Sequence, residues 1–504
     1  IEQCNGAADC RKSNLIGGTM CPTFKVSHDE LLSTRARANI LREVLTRGLP
    51  DGKDREALEE MLYSCLACKG CKSECPSNID MTRIRAQVLQ HLYDQHGTPF
   101  RSWMVARMAS VERLGRLVRP LYNYFASAPW SSAIIKKLVS FAPERSIPTL
   151  SKKTTRQLIE NMKNAPWSFD SEAENNPRIE NGLTHNGSSP KCHGGMPQFS
   201  ILNSQLKKTV YLFADEFTNM QEADLGLRFA QLLTALGYHV VVPRHVESGR
   251  AAISKGCLHL AARYAERNVR LLKGLITDET PLVGIEPSCI LSFRDEYPDL
   301  VPAELKSDAQ KLAQNCLLYD EFIMREVARG HISPQQFSSA PLEVWLHGHC
   351  HQKALVGIEK TAAMLRLLPG CKLHVIPSSC CGMAGSFGYE AEHYKTSLAI
   401  GEMLLFPTIR EAVKRYELSV KNKSLINTPS HLKQTESPSQ DETQGSSLEN
   451  GIPVLTLNAA LLTETPPTFV AAPGTSCRQQ ILDGTGVHAL HPIEIMLRYL
   501  AHEV

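Results

Sequence analysis

Four closely spaced cysteines followed by a proline are the residues of this chain most clearly arranged for chemistry. The segment 65–76 reads CLACKGCKSECP, with the spacing C-x2-C-x2-C-x3-C. In ferredoxins this spacing binds an iron–sulfur cubane through the first three thiolates, while the fourth cysteine reaches a different cluster. A zinc knuckle more often shows two separated C-x2-C pairs. The run therefore favours an iron–sulfur site over a zinc site.

A second, incomplete run precedes it. Cys4 and Cys10 have the outer spacing of a three-thiolate run, but Ala7 replaces the middle ligand, and Cys21 is followed by proline like a displaced fourth ligand. Because fourth cysteines cross over in two-cluster ferredoxins, we expect one complete 4Fe-4S site and one three-thiolate site. The latter suits a three-iron cluster, a cubane with a water or side-chain ligand, or no cluster. The complete set is Cys65, Cys68, Cys71 and Cys21, and the incomplete set is Cys4, Cys10 and Cys75.

Three predicted helices surround these ligand runs. Apolar residues recur with the helical period over 28–48, and helices are also expected over 54–66 and 80–96. Helices that lead into and out of a ligand loop exclude water and direct backbone N–H groups at the sulfurs. We therefore predict a helical two-cluster ferredoxin-like domain over residues 1–98.

The next segment, 99–200, is predicted to contain basic helices followed by a polar linker at 170–200. Residues 100–168 contain twelve Lys/Arg against three Glu, with aromatic residues interleaved. Such a segment can lie on an anionic membrane or bind an acidic partner, although a solvated helical face has the same composition. No nucleic-acid recognition motif accompanies the charge, so we expect no nucleic-acid partner.

Chain length and composition indicate the number of domains and the redox compartment. The 504 residues suffice for about three domains, and the net charge of +3 indicates no particular partner. The sixteen cysteines are far sparser than in a disulfide scaffold and they cluster in motifs. We therefore expect reduced thiols in the cytoplasm. The sequence shows no apolar run of about 18 residues and no signal peptide, so membrane contact would be peripheral, on the inner face.

A repeated α/β pattern fills the second half of the chain. From residue 208, short strand-like segments alternate with helical ones, as in βαβ units on a parallel sheet. The segments TVYLFADEF, YHVVVPRHVESG and VGIEPSCILSFRD align in order with EVWLHGHC, KLHVIPSSCCG and VAAPGTSCRQQIL. We predict a degenerate first copy at 201–340 and a second copy at 341–504, which is interrupted by a disordered insertion at about 420–450.

The second copy gathers cysteines at the carboxyl edge of its sheet, where open α/β sheets place their sites. Adjacent cysteines can bridge irons in an open, non-cubane cluster. A single metal such as zinc is the alternative, because histidines flank Cys350. The adjacent Cys380 and Cys381 could also be buried cysteines without a ligand role, beside a glycine-rich turn. The candidate ligands are Cys350, Cys380, Cys381 and Cys477, with Cys289 from the first copy; the histidines are His347, His349 and His351.

With these motifs the chain resembles the iron–sulfur half of the FAD-linked D-2-hydroxyacid dehydrogenases, the D-lactate, glycolate and D-2-hydroxyglutarate group. The resemblance rests on EQCNGAADCRK, SCLACKGCKSECPSNIDM, GHCHQKALVG and SSCCGMAGSFGYE. It implies an α+β and α/β fold, in which a helical two-cluster ferredoxin-like domain precedes a tandem pair of α/β CCG-type domains. It also implies that FAD is bound by a missing domain or a partner subunit, and that this chain is a fragment or a separate subunit.

The resemblance implies an electron-transfer module that relays electrons from reduced FAD to a quinone, a cytochrome or a ferredoxin-like acceptor. CCG domains also occur in heterodisulfide reductase and anaerobic glycerol-3-phosphate dehydrogenase subunits, so a catalytic CCG site that reduces a disulfide or quinone is an alternative. Here Gly474 replaces the first cysteine of the last ligand pair, which counts against heterodisulfide reduction. A metal-stapled scaffold without a redox role is the third interpretation, and no catalytic residue is assigned.

Overall fold

The computed structural model describes residues 4–13, 17–164, 208–426 and 466–501. The linker predicted at 170–200 and most of the insertion predicted at 420–450 lie outside the described residues. Within the described ranges a helical part comes first, and two parallel sheets with their helices follow. The expected combination of helices with parallel α/β structure is therefore confirmed.

Helices and short 3-10 turns at Asp9–Arg11 and Glu30–Leu32 form the described part before the first sheet. The α-helices are α1 (Pro22–Ser27), α2 (Thr34–Arg47), α3 (Gly52–Tyr63), α4 (Gly70–Glu74), α5 (Met81–His96), α6 (Phe100–Ala106), α7 (Met108–Leu117), α8 (Arg119–Ser127), α9 (Pro129–Leu138) and α10 (Thr155–Asn164).

Side-chain caps fix where α2 and α5 begin. The Ser33 hydroxyl accepts a hydrogen bond from Ala36 N at 3.1 Å, and the Asp80 carboxylate accepts one from Arg83 N at 3.2 Å. Such caps stabilise a helix by about 1 kcal/mol each. The helix predicted over 28–48 therefore starts later than expected, because a 3-10 turn and the Ser33 cap precede it.

The first sheet has four parallel strands in the order β2-β1-β3-β4. Its strands are β1 (Lys208–Phe213), β2 (Tyr238–Val241), β3 (Leu282–Gly284) and β4 (Cys316–Leu318). Its helices are α11 (Glu216–Met220), α12 (Ala223–Ala235), α13 (Arg250–Ser254), α14 (Leu258–Leu272), α15 (Pro287–Ile290), α16 (Ser292–Asp295), α17 (Tyr297–Leu300), α18 (Lys306–Gln314) and α19 (Tyr319–Ala328).

The second sheet has three parallel strands in the order β6-β5-β7. Its strands are β5 (Leu342–His347), β6 (Cys371–Ile376) and β7 (Thr468–Ala471). Its helices are α20 (Cys350–Leu355), α21 (Glu359–Leu365), α22 (Tyr394–Glu402), α23 (Leu405–Ile426), α24 (Thr475–Thr485) and α25 (Pro492–Arg498).

The strands that the sequence repeat pairs occupy equivalent places in the two sheets. The order β2-β1-β3 of the first sheet corresponds to β6-β5-β7 of the second. Apolar residues of both sheets, such as Leu212 and Val344, belong to one continuous buried core. The two sheets are thus held together by a shared apolar interior, while the division of the chain into separate domains stays a prediction.

Two stretches of the second α/β unit show where helices end. The segment 353–368 contains the end of one helix and then a second helix, because the chain turns at Gly357 with a φ of 77°. The insertion expected at about 420–450 overlaps the end of α23, which runs to Ile426. Lysine, asparagine and leucine tolerate a helix, and the first proline after this helix is Pro429. Polar composition alone therefore did not indicate that α23 extends to Ile426.

Helices α6–α9 carry an exposed apolar surface. Its residues include Leu114, Leu117, Trp130, Ile134 and Leu138, each more than half exposed. Across the part of the chain that the structure describes, no helix combines the length and apolar character needed to cross a membrane.

Arg145, in the connection between α9 and α10, attaches the helical part to the second sheet. Its guanidinium is buried and donates to Gly388 O at 2.8 Å and to Gln480 Oε1 at 2.7 Å. It also forms an ion pair with Asp483. All three partners belong to the second α/β unit, so this side chain fixes how the two parts meet.

We expect Arg145→Met to lower the free energy of unfolding by about 3–5 kcal/mol, because it removes the buried donor to Gly388 O and Gln480 Oε1 and the ionic partner of Asp483. Arg47→Met is the matched control: Arg47 pairs with Glu43 on the surface, and its loss should cost about 1 kcal/mol or less. Denaturant titration followed by circular dichroism measures both. Equal effects of the two substitutions would contradict the anchoring role of Arg145.

Candidate metal centres

The cysteines of the predicted complete site surround one small cavity. They are Cys21, Cys65, Cys68 and Cys71. The backbone at Cys21, Ala67 and Lys69 adopts the left-handed region, with φ of 51°, 52° and 61°. Non-glycine residues in this region cost free energy and occur where a site requires a tight chain reversal. Four thiols around one cavity are the donor set of a 4Fe-4S cluster, so these residues fit that cofactor.

Helix N-termini are directed at these sulfurs. Thr34 N, at the start of α2, donates to Cys21 Sγ at 3.2 Å, and Thr34 Oγ1 lies 2.8 Å from the same sulfur. The backbone N–H of Met81, at the start of α5, donates to Cys71. First-turn N–H groups lack partners within their own helix, so a thiolate satisfies them and gains from the helix dipole.

Burial makes these thiols poor acids unless a cation is bound. Desolvation raises the pKa of Cys71 to about 12, and the nearby Cys65 thiol adds to this shift. Desolvation likewise raises the pKa of Cys68 well above its ordinary value. Thiolates gathered in this cavity therefore need compensating positive charge, which a metal centre supplies.

The cysteines of the predicted incomplete set, Cys4, Cys10 and Cys75, lie in or against one buried cluster, which also contains Cys21 and Cys71 of the complete set. Cys10 hydrogen-bonds through its thiol to Cys21. That contact lowers the pKa of Cys10 to about 6. Arg35 N, the second N–H of α2, also donates to Cys10 Sγ at 3.4 Å. The first N–H groups of α2 therefore donate hydrogen bonds to sulfurs from both predicted sets.

The second group of thiols forms a continuous row. Cys350 contacts Cys380, which neighbours Cys381, and Cys381 contacts Cys477 through hydrogen bonds between the thiols. Cys350 follows β5, the adjacent pair follows β6, and Cys477 follows β7. The carboxyl ends of three parallel strands thus deliver all four sulfurs to one edge, as expected for an open α/β sheet. We call these four residues the thiol row.

Histidines extend the thiol row at both ends. Ligand atoms of His347, Cys381 and Cys477 lie within 4.8 Å of one another, as do those of His349, Cys350 and His351. His347 Nδ1 is 2.6 Å from Ser378 Oγ, which fixes the orientation of the ring. Thiolates alone suit an iron–sulfur cluster, whereas mixed thiolate and imidazole ligands suit zinc. An iron–sulfur cluster and a zinc ion are both compatible with these ligand atoms.

The His349 ring leaves no room for a side chain at position 474. A Cβ atom at Gly474 would overlap the ring of His349 and lie 3.2 Å from Cys477 Sγ. His349 Nε2 is itself 3.7 Å from Glu286 Oε1. An imidazole therefore occupies the space that a further cysteine side chain would need.

The structure keeps Cys289 apart from the thiol row. Its side chain lies in the core of the first sheet and contacts the Ser248 hydroxyl. Ser248 donates from Oγ to Glu216 Oε1 at 2.7 Å and from N to Glu216 Oε2 at 3.0 Å. At the position that the repeat aligns with the adjacent cysteines, the first α/β unit thus has a serine hydrogen-bonded to a glutamate.

The two sulfur sites adjoin each other. Leu66 and Cys68 pack in the same buried apolar cluster as the thiol row, and α4 packs against α20. The Cys350 thiol also contributes to the raised pKa of Cys68, after the larger effect of burial. Residues far apart in the sequence therefore bring the complete site next to the start of the thiol row.

An ion-pair network that sequence reasoning missed holds the ligand loop in place. Lys69 Nζ, which is fully buried, lies 2.5 Å from Asp295 Oδ2 and 2.8 Å from Glu296 Oε1. Arg250 Nη1 is 2.9 Å from the same Glu296 oxygen. Burial by itself would lower the pKa of Lys69, but Glu296 and Asp295 raise it above its ordinary value. The loop that carries Cys68 and Cys71 is thereby fastened to the first α/β unit.

With this geometry established, comparison with known proteins assigns the helical part. Residues 3–80 match the family model of a 4Fe-4S dicluster domain. The N-terminal segment is therefore a 4Fe-4S dicluster domain. The match contains both predicted cysteine sets, whereas the thiol row lies beyond it.

Curated relatives match a larger part of the chain. It is 26% identical to D-2-hydroxyglutarate dehydrogenase of Pantoea ananatis over 447 residues, which are 81% of this chain and 40% of the relative. The corresponding Escherichia coli protein is 25% identical over 80% of this chain and 40% of its own length. One of the subunits of E. coli anaerobic glycerol-3-phosphate dehydrogenase is 30% identical over 211 residues, which are 42% of this chain and 52% of that relative.

The chain thus spans about 40% of the length of the D-2-hydroxyglutarate dehydrogenases that it matches. No solved structure matches it. The chain is therefore homologous to both kinds of dehydrogenase, and its residues 3–80 match a 4Fe-4S dicluster domain.

We expect Cys71→Ser to remove about four irons per chain, because a serine oxygen replaces one thiolate of the complete set. Cys371→Ser, at the half-buried start of β6, is the matched control and should retain full iron content. Iron and acid-labile sulfide are measured after anaerobic purification. Retention of all iron in Cys71→Ser would exclude Cys71 as a ligand.

Thr34→Val should make the midpoint potential of the complete site more negative. The substitution keeps the shape of the side chain but removes the hydroxyl 2.8 Å from Cys21 Sγ, and hydrogen bonds to sulfur stabilise the more negative, reduced state. Redox titration followed by EPR measures the potential. Thr46→Val, which loses only a hydrogen bond to Arg42 O on the exposed side of α2, is the control; an equal shift there would refute the assignment.

Proposed function

We propose that this chain is the iron–sulfur electron-transfer module of a flavin-linked 2-hydroxyacid dehydrogenase. It takes electrons from reduced FAD on another domain or subunit and passes them to an external acceptor. The observation that carries this proposal is the shared buried cluster of Cys68 and the thiol row. Two metal-binding sites placed side by side in one apolar core suit stepwise electron transfer between them.

The residues of this chain hold, shield and tune those sites. Iron–sulfur clusters, when bound to these thiolates, supply one-electron carriers that divide a two-electron oxidation into single steps. Cys68, Cys71 and the thiol row are all less than one-tenth exposed. The N–H groups at the starts of α2 and α5 point at sulfur and favour the charged thiolate form. Water exclusion and N–H···S bonds are the means by which a protein sets such potentials.

The relatives support the substrate class of the whole assembly. Several that cover about four-fifths of this chain are named D-2-hydroxyglutarate dehydrogenase. We therefore place D-2-hydroxyglutarate first among the candidate substrates, with D-lactate and glycolate as alternatives. The hydroxyacid would be oxidised at the flavin, so this chain need not contact it.

A second candidate function is reduction of the acceptor at the thiol row itself. It is favoured by a cavity of about 1240 Å³ that Cys350, Cys380 and Cys381 line. A purely structural metal would need no such access. The metal-stapled scaffold is accordingly the least supported of the three interpretations.

Magnetic coupling between the two sites tests the relay. In the anaerobically purified, reduced chain we expect EPR signals broadened by interaction between neighbouring centres. Cys350→Ser should leave the complete site intact but sharpen its signal, because the centre next to Cys68 is lost. Cys371→Ser should behave as wild type.

Uncoupled signals in the wild-type chain would contradict the relay. Zinc without acid-labile sulfide at the thiol row would do the same. Either result would confine electron transfer to the dicluster domain.

A further inference from the structure

Lys353 joins the two segments that carry the first three cysteines of the thiol row. It lies on α20, three residues after Cys350, and its side chain reaches the loop that follows β6. Its Nζ donates to Ser378 O at 2.6 Å and also to Ser379 O. These two carbonyls immediately precede the adjacent cysteines of the row. The ammonium group therefore fastens the loop of the cysteine pair to the helix that begins at Cys350.

The absence of a side chain at Gly348 makes room for this contact. Gly348 lies between β5 and α20, and a Cβ atom there would be 3.3 Å from Lys353 Cδ and 2.3 Å from Ile358 Cδ1. The stem of the lysine thus packs against the backbone at Gly348. Close packing of this kind restricts where the ammonium group can lie.

The other side of the cysteine pair is fixed independently. Gly382 has a φ of 98°, and a Cβ atom there would lie 2.2 Å from Ser397 O of α22. The Gly382 N–H donates to Cys380 Sγ at 3.4 Å. The cysteine pair therefore lies between two fixed points, the Lys353 contact before it and close backbone packing after it.

The positive charge of Lys353 has no carboxylate partner in the described part of the chain, where its hydrogen bonds go to the two carbonyls. Lys360, on the next helix, pairs instead with Glu321. Burial lowers the pKa of His347; the Cys381 thiol counteracts this shift, and the Lys353 charge adds to it. The charge of Lys353 thus acts at the end of the thiol row where Cys381 lies.

A cation at this place affects both the ligands and a centre bound to them. Four thiolates in one buried site repel one another, so a cation beside them favours their charged form. A metal centre bound there gains a further negative charge when it is reduced. A fixed cation nearby therefore stabilises the reduced state and makes the midpoint potential less negative.

The sequence repeat provides an internal comparison. Helix α11 follows β1 of the first α/β unit as α20 follows β5 of the second, and its sequence, EFTNM, contains no basic residue. The residues aligned with the cysteine pair there are Glu247 and Ser248. The copy without the adjacent thiols thus also lacks the lysine. This is expected if the lysine acts on the thiols and is not needed for the packing of the fold.

We propose that Lys353 is a positioning residue for the metal centre of the thiol row. It holds the adjacent cysteines at a fixed spacing from Cys350, and its charge makes the potential of the bound centre less negative. The inference rests on the proposed electron-transfer function, because that function requires a redox-active centre at the row.

Lys353→Met removes the ammonium group and keeps most of the stem. In the complete, anaerobically purified chain we expect the chelator bathophenanthroline disulfonate to remove iron from the row about tenfold faster than in the wild type. The midpoint potential of the row, measured by redox titration followed by EPR, should become more negative by about 59 mV. This shift is a tenfold change in the reduced-to-oxidised ratio of a one-electron centre.

Two further variants separate this role from general destabilisation. Lys353→Arg keeps the charge and has N–H donors for both carbonyls, so we expect it to restore the potential to within a twofold change in that ratio. Lys360→Met, which removes an exposed lysine from α21, should match the wild type in iron release and potential. Circular dichroism and the EPR signal of the complete site show that each variant is folded. Lys353→Gln takes the place of Lys353→Met, with the same expected shift in potential, if the latter does not fold.

Unchanged iron release and potential in Lys353→Met would overturn the proposal. An equal shift in the potentials of Lys353→Met and Lys353→Arg would overturn the role of the charge. A wild-type chain without a redox-active centre at the thiol row would instead overturn the proposed function. A redox-active row that is insensitive to Lys353 would leave that function standing.

Discussion

The packing of the Cys68 loop against helix α20 is the contact on which the rest of this structure depends. It places the complete thiol set and the thiol row in one buried apolar cluster. Buried ion pairs from Lys69 to Asp295 and Glu296 hold the same loop against the first α/β unit. Because a close-packed core does not deform continuously, the spacing of the two sites is fixed by the fold.

The first α/β unit contributes Cys289 alone to the candidate sulfur ligands, but it contacts the thiol row of the second unit. Where the second unit has adjacent cysteines, it has Ser248 hydrogen-bonded to Glu216. It also contributes Arg250 to the cavity, and Glu286, which accepts a hydrogen bond from Thr475 N at 2.9 Å beside the thiol row. Through these contacts the first α/β unit supports the thiol row of the second.

The buried thiols and the buried Glu112 carboxyl have different surroundings. The thiols of the row lie next to one another and to histidines, an arrangement that favours metal binding. Glu112 lies instead among apolar side chains of α6–α9, where burial favours its neutral form.

Local patterns in the sequence determined the dicluster domain, the parallel strands and the cysteines after them, because ligand spacing and strand periodicity act over short distances. Tertiary structure decided which sites meet. Packing between distant segments brings Cys68 to the thiol row and places Cys289 in a different core. The same packing puts the His349 ring where a side chain at position 474 would lie. The isolation of Glu112 also depends on such packing, since its raised pKa comes from desolvation by neighbours that the linear sequence does not identify.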